Sequence, residues 1–288
     1  MNVEIIIDEP TIEVGESPIW HPDKGVLYWA DISNGRLFRY DPATKTNSCC
    51  HDCEKISGIT IQEDGSLLLF GQGGRLTAWN DGRTEVLHPG FEDESGFNDC
   101  TADPKGRVFA GMQPVEEAED RPARPGRLTR IEPEGSHEFI DEGIEGPNGV
   151  TISGDRQRLY FVNTGEQSIY VYDYDEETGE LGSRRRFIQV DEGTPDGLAV
   201  DEEGGLWAAI CGGGAVERYS PDGELLHRIE MPTKIVTSVT FGGQELETLY
   251  VTSLGAVWRA GMDDHAGCVF ALKPGVKGRP EFRSRLSA

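Results

Sequence analysis

The stretch from Pro195 to Ile210, PDGLAVDEEGGLWAAI, sets short apolar runs against tight polar turns. Asp196 precedes a first apolar run, Leu198 to Val200. An acidic, glycine-bearing turn (Asp201 to Gly204) leads into a second, Leu206 to Ile210. Runs this short, bounded by Asp and Gly, read as β-strands. The same pattern recurs as ESPIWHPDKGVLYWA from Glu16, SGITIQEDGSLLLFG from Ser57, NDCTADPKGRVFAGM from Asn98, NGVTISGDRQRLYFVN from Asn148 and TSVTFGGQELETLYVTS from Thr237. Aligned on their turns, the six units bring Glu16, Ser57, Asn98, Asn148, Asp196 and Thr237 to one position, in steps of 41, 41, 50, 48 and 41 residues. All six side chains are polar and can offer oxygen. Short-strand repeats of this period are the mark of propeller blades. The sequence therefore predicts an all-β fold, a six-bladed β-propeller, with residues 1–288 as a single domain.

Val3 to Ile7 is apolar, β-branched and outside any repeat. Its natural use is as the outer strand of the last blade, where it removes a sheet edge. Two long connections interrupt the pattern: VEEAEDRPARPG in the third blade and GAVWRAGMDDHAG in the sixth. No stretch sustains a helical period.

Charge narrows the partners. The net charge of −24 repels nucleic acid and anionic membranes. No apolar run approaches the ~20 residues needed to span a bilayer. The start, MNVEIIIDEP, lacks the basic segment of a signal peptide, so a cytoplasmic location is expected. Only 7 lysines stand beside 20 arginines and 51 acids. That balance fits either a salt-adapted surface or an ordinary acidic enzyme. Of the six cysteines, three lie in Cys49-Cys50-His51-Asp52-Cys53 with no second pair at zinc-site spacing. Reduced thiols are expected.

In a propeller the first strand of each blade lines the central channel, so the six aligned residues would form a ring. Satisfying loop backbone groups accounts for Ser57 and Thr237. Glu16 and Asp196 need more, since two carboxylates at a narrow axis repel unless a cation lies between them. With the amide oxygens of Asn98 and Asn148 they make an oxygen-only set. That set suits Ca2+, Mg2+ or Mn2+ and suits Zn2+ or Fe2+ less.

The motifs GESPIW, FNDCTADPKGRVFAGM, GPNGVTIS and TPDGLAVDEEGGLWAA resemble those of the gluconolactonase, regucalcin and luciferin-regenerating family, over nearly the whole chain. The resemblance implies a six-bladed propeller with one divalent metal held by Glu16, Asn148 and Asp196. Asn98 would hold the substrate or the metal's water, and Asp196 would double as general base. It implies metal-dependent hydrolysis of a sugar-acid lactone, such as gluconolactone or xylonolactone, by a monomer or weak dimer. A calcium-binding regulatory propeller and a phosphotriesterase-like hydrolase use the same ligands; a protein-interaction scaffold has no use for axial carboxylates. No G-x-S-x-G elbow is present, and the six histidines fall outside the ring. One departure matters: many sugar-lactonase members carry a substrate-binding Arg where this chain has Gly96. Arg121, Arg124 or Arg127 could replace it, or be solvated surface charges.

Overall fold

The computed structural model describes every residue except 1, 10, 53, 92, 93, 119–122, 256–262 and 288. Cys53, Glu119, Asp120 and Arg121 thus lie outside the described residues. The chain opens with β1 (Val3–Asp8) and then forms blades in order. Blade one is β2 (Gly15–His21), β3 (Val26–Asp31), β4 (Arg36–Asp41) and β5 (Thr46–Asp52). Blade two is β6 (Ile56–Gln62), β7 (Leu67–Gly71), β8 (Leu76–Asn80) and β9 (Arg83–His88). Blade three is β10 (Phe97–Ala102), β11 (Val108–Met112), β12 (Gly126–Ile131) and β13 (His137–Ile144). Blade four is β14 (Pro147–Ile152), β15 (Arg158–Asn163), β16 (Ser168–Asp173) and β17 (Arg185–Gln189). Blade five is β18 (Thr194–Val200), β19 (Leu206–Cys211), β20 (Ala215–Tyr219) and β21 (Leu225–Glu230). Blade six is β22 (Val236–Gly242), β23 (Thr248–Ser253) and β24 (Cys268–Leu272). The fold is the six-bladed β-propeller read from the repeats. Among the described residues the only helical element is a 3-10 turn at Thr164–Glu166, and no helix is long and apolar enough to cross a membrane.

Burial falls across each blade as the sequence dictates. The unbroken apolar runs of β3 and β7 are buried from end to end, as strands covered on both faces must be. The fourth strands, such as RTEVLH in β9, are mostly exposed. The chain divides into two compact groups. The first, residues 1–56 and 190–280, holds blades one, five and six. Its cores gather Trp207, Phe241 and Phe270 in one cluster and Trp20, Trp29 and Tyr250 in another. The second, residues 57–189 and 281–288, holds blades two, three and four. Its clusters centre on Phe70, Phe97 and Met112, and on Phe109, Phe161 and Tyr172.

Both termini are used. β1 pairs antiparallel with β24, Val3 opposite Leu272, and supplies the fourth strand of blade six as expected. The C-terminal strand was not legible. β25 (Arg283–Ser284) runs parallel to β6 on its free side. Ser284 shares a hydrogen bond with Thr60 (2.8 Å), Gln62 donates to the Leu286 carbonyl (2.7 Å), and Leu286 joins the Phe70 cluster.

A buried aspartate fixes the turn between the first two strands in blades three and five. Asp103 accepts from the backbone of Lys105 and Arg107, from Arg107 Nε and from the Tyr174 hydroxyl. Asp201 accepts from Gly205 N, Trp207 Nε1 and Arg218 Nε. Breaking such a buried pair costs about 3–5 kcal/mol, so these turns hold the first strands firmly in register.

Candidate functional site

In blades one, three, four, five and six the first strand carries a β-bulge at or beside the position where the sequence places its polar residue. Pairing slips by one between Phe97 and Cys100, Pro147 and Val150, Pro195 and Leu198, and Val236 and Val239. Asn98, Asn148, Asp196 and Thr237 are the first residues of those bulges. A bulge leaves the ladder locally unpaired and re-aims a side chain. Blade one differs by a residue. Its slip falls between Glu16 and Ile19, so Ser17, not Glu16, is the register equivalent of Asp196. Ser17 has φ of 49°, an uncommon value outside glycine, and its N–H donates to Glu16 Oε2 (2.9 Å).

Hydrogen bonding then divides the six residues. Thr237 Oγ1 donates to the Gly15 carbonyl (2.6 Å), Asn98 Nδ2 to the Pro147 carbonyl (2.9 Å), and the Ser57 hydroxyl to the Phe97 carbonyl. In all three the acceptor directly precedes the aligned residue of the following blade. Ser57 and Thr237 therefore have the backbone role expected of them, and Asn98 shares it. Glu16, Asn148 and Asp196 stand apart. Two are carboxylates, with nothing to donate when ionised. Asn148 turns its Nδ2 to Thr164 Oγ1 (3.3 Å) instead.

In the first group Asp196 is buried and Glu16 half-buried. Burial first, then the charges of Asp196 and Glu16, push the Cys211 thiol up to about 12. Both carboxylates thus lie within electrostatic reach of one thiol, which stays protonated at neutral pH. Gly197, beside Asp196 in the bulge, is forced by packing: a Cβ there would lie 2.0 Å from Ser238 Oγ and 2.7 Å from its Cα.

In the second group Asn98 and Asn148 point their amide N–H groups at protein acceptors, which turns the amide oxygens the other way. Asp99, the second bulge residue of blade three, was missed in the sequence. Burial pushes its carboxyl up to about 7, with the Cys100 N–H opposing and Glu281 assisting; that N–H reaches Asp99 Oδ1 at 2.7 Å. Only the register of the bulge marks this residue. Arg124 and Arg127 do not project as loose cations: both bind Glu94 Oε1, at 2.7 and 2.8 Å. A groove of ≈ 450 Å³ lined by Tyr40, Lys45, Tyr250 and Lys273 contains none of the residues predicted for the site.

Among the described residues no group of three or more His, Cys, Asp or Glu side chains is placed to hold a metal ion, and the described cysteines are free thiols. The predicted set has two carboxylates and amide oxygens, so its donor chemistry is that of a hard cation site, not a thiolate or imidazole one.

The profile described as SMP-30/Gluconolactonase/LRE-like region matches residues 14–255. A pentonolactonase of Haloferax volcanii, XacC, is 43% identical over 99% of this chain and 98% of its own length. A 6-deoxy-6-sulfogluconolactonase of Pseudomonas putida is 35% identical over 97% of both chains. The crystal structure of a calcium-binding protein, regucalcin of Agrobacterium tumefaciens, superposes with a TM-score of 0.85 at 26% identity, over 98% of this chain and 97% of its own.

Proposed function

The chain belongs to the SMP-30/gluconolactonase/LRE-like family, and from that premise we propose that it hydrolyses a sugar-acid lactone to the open acid, with one divalent cation held by Glu16, Asn148 and Asp196. End-to-end similarity to a pentonolactonase carries this reading and makes a five-carbon aldonolactone the first substrate to try. The ligand set is supported by its donor chemistry: Glu16 and Asp196 are carboxylates, and Asn148 turns its Nδ2 to Thr164 Oγ1, which leaves its amide oxygen to offer. When bound, the cation polarises the lactone carbonyl and offsets the charge that grows on its oxygen. Asp196 takes the proton of the attacking water. Asn98, its N–H groups turned to Pro147, offers its amide oxygen to a substrate hydroxyl. Glu16 is kept in one orientation by the Ser17 N–H. Ca2+, Mg2+ and Mn2+ are the ions of choice for this set, and the cytoplasm is the proposed setting.

A second reading follows from the regucalcin likeness: a calcium-binding protein without important turnover. A pH-stat panel of pentonic and hexonic acid lactones, corrected for the buffer reaction and run on the metal-loaded protein, separates the two. Turnover of at least one lactone well above the buffer rate is expected. Calcium binding without turnover of any lactone would favour the second reading.

A further inference from the structure

The segment that leads into Asn98 is held by an aromatic stack that the proposed reaction does not use. The Phe91 ring stacks on His88 (centroids 4.4 Å apart, planes 28°) and meets His137 edge-on (4.3 Å, 63°). It also packs at a right angle on Phe97 (5.7 Å, 88°), the residue before Asn98. The Phe91 N–H donates to the Gly73 carbonyl (2.7 Å), and a Cβ at Gly74 would lie 2.1 Å from the Phe91 ring. An unbroken set of contacts therefore runs from two imidazoles through Phe91 and Phe97 to the bulge that carries Asn98.

One bond in this set depends on protonation. His88 Nδ1 accepts the Gly90 N–H at 3.1 Å, which requires a bare nitrogen. Protonating Nδ1 turns acceptor into donor and breaks the bond. Gly90 has φ of 124°, and a Cβ there would lie 2.6 Å from the Gly73 carbonyl oxygen, so this corner has little room to rearrange. Among the described residues, the charged groups around the stack are these. The turn packed against it, Gly73–Arg75, carries Arg75. Glu94 acts on His137 and is bound by Arg124 and Arg127. Arg127 lies over the Phe139 ring (4.3 Å), which in turn touches His137 (5.3 Å), and pairs with Glu142 (3.3 Å).

We propose that the His88–Phe91–His137 stack is a pH-dependent positioning device for Asn98: neutral imidazoles hold the Phe91 ring, and through it Phe97, in place, and their protonation releases these rings. The proposal rests on the role given to Asn98 above. Partial desolvation against Phe91 lowers both imidazoles from the usual histidine value of 6.5, at half-buried His88 and at His137, whose ring is still exposed on the outer strand; His137 lowers His88 further, while Glu94 opposes the shift at His137. Depressed folded-state values mean that the unfolded or opened chain binds more protons in this range. The stabilisation is thus full above the unfolded value of about 6.5 and is lost as the pH falls below it.

The test uses the full-length, metal-loaded protein. Amide hydrogen exchange of a peptide covering 89–98, corrected for intrinsic rates, is followed from pH 7.5 to 5.5 beside lactonase kcat, KM and metal content. Two substitutions remove the titration without removing the contacts. His88→Asn keeps an acceptor for Gly90, and His137→Phe keeps a ring against Phe91. In the parent, exchange of 89–98 should rise and kcat should fall together below about pH 6.5, with metal content unchanged. The double variant, or either single variant if the double is poorly folded, should lose both changes or move them to lower pH. Phe91→Leu should lower kcat at pH 7.5 by on the order of tenfold, the scale of a displaced contact, again with metal retained. Exchange of 89–98 that ignores pH in the parent, or an acid limb unmoved in the variants, overturns the proposal. If the protein turns over no lactone, the function fails, yet pH-dependent opening of 89–98 that the variants abolish still upholds the device.

Discussion

At the scale of single residues, the decisive feature is what each blade-start side chain can donate. Ser57, Asn98 and Thr237 each give a hydrogen bond to the following blade; carboxylates at 16 and 196 cannot. Asp196→Asn keeps the size and one oxygen but cannot take a proton from water at neutral pH. With metal restored in excess it should lose ~10²–10⁴-fold in turnover, the usual weight of a general base, while still binding lactone. Glu16→Gln should instead act on metal affinity, read by elemental analysis after dialysis. Gly197 gives a stability prediction. Its missing Cβ makes room for Ser238, so Gly197→Ala should destabilise by about 1–3 kcal/mol, the cost of overpacking. A urea midpoint equal to the parent's would contradict that close approach. The candidate residues were legible as polar positions where apolar strands begin. Its register was not. Four residues separate β2 from β3, against five between β18 and β19, so alignment on the turns set Glu16 level with Asp196 when the bulge sets Ser17 there. Asp99 stayed hidden for a related reason: nothing local separates it from a turn aspartate.

Elements show where pattern suffices and where tertiary partners decide. The apolar runs of β3, β7 and β19 announce buried strands without any neighbour, and β1 declared itself as an orphan β-branched run. β25 is two residues long inside RSRLSA, too short for periodicity, and exists because β6 offers it an unpaired edge. The ion pairs of Glu94 with Arg124 and Arg127 tie a loop to an insertion and to β12, a use that the sequence, which offered these arginines as substrate-binding or solvated charges, did not announce. Truncation before Arg283 should uncover that edge and remove Leu286 from its cluster, lowering the melting temperature and raising hydrogen exchange in β6. An unchanged exchange rate in β6 after truncation would show that the C-terminal strand adds nothing. Deletion of residues 1–8 should likewise expose β24, because the edge it covers is a template for aggregation.

For the whole molecule, net charge and chemistry are the properties that remain. A charge of −24 makes the folded state repel itself. Individual exposed ion pairs contribute only ~0–1 kcal/mol each, so the excess of like charge should dominate the response to salt. Melting temperature should rise as KCl is raised above ~0.1 M, where screening reaches ~10 Å; a flat or falling curve would mean that the acids are already balanced locally. The central claim is that a cation held by Glu16, Asn148 and Asp196 is needed for lactone hydrolysis. The most direct measurement is pentonolactone hydrolysis in a pH-stat by chelator-stripped full-length protein, before and after Ca2+, Mg2+ or Mn2+ is added back, with Asp196→Asn in parallel. The account predicts a rate no faster than buffer for the stripped protein, recovery on adding one of these ions, and no recovery in Asp196→Asn. Full activity in the stripped protein, or recovery of Asp196→Asn to the parent rate, would contradict it.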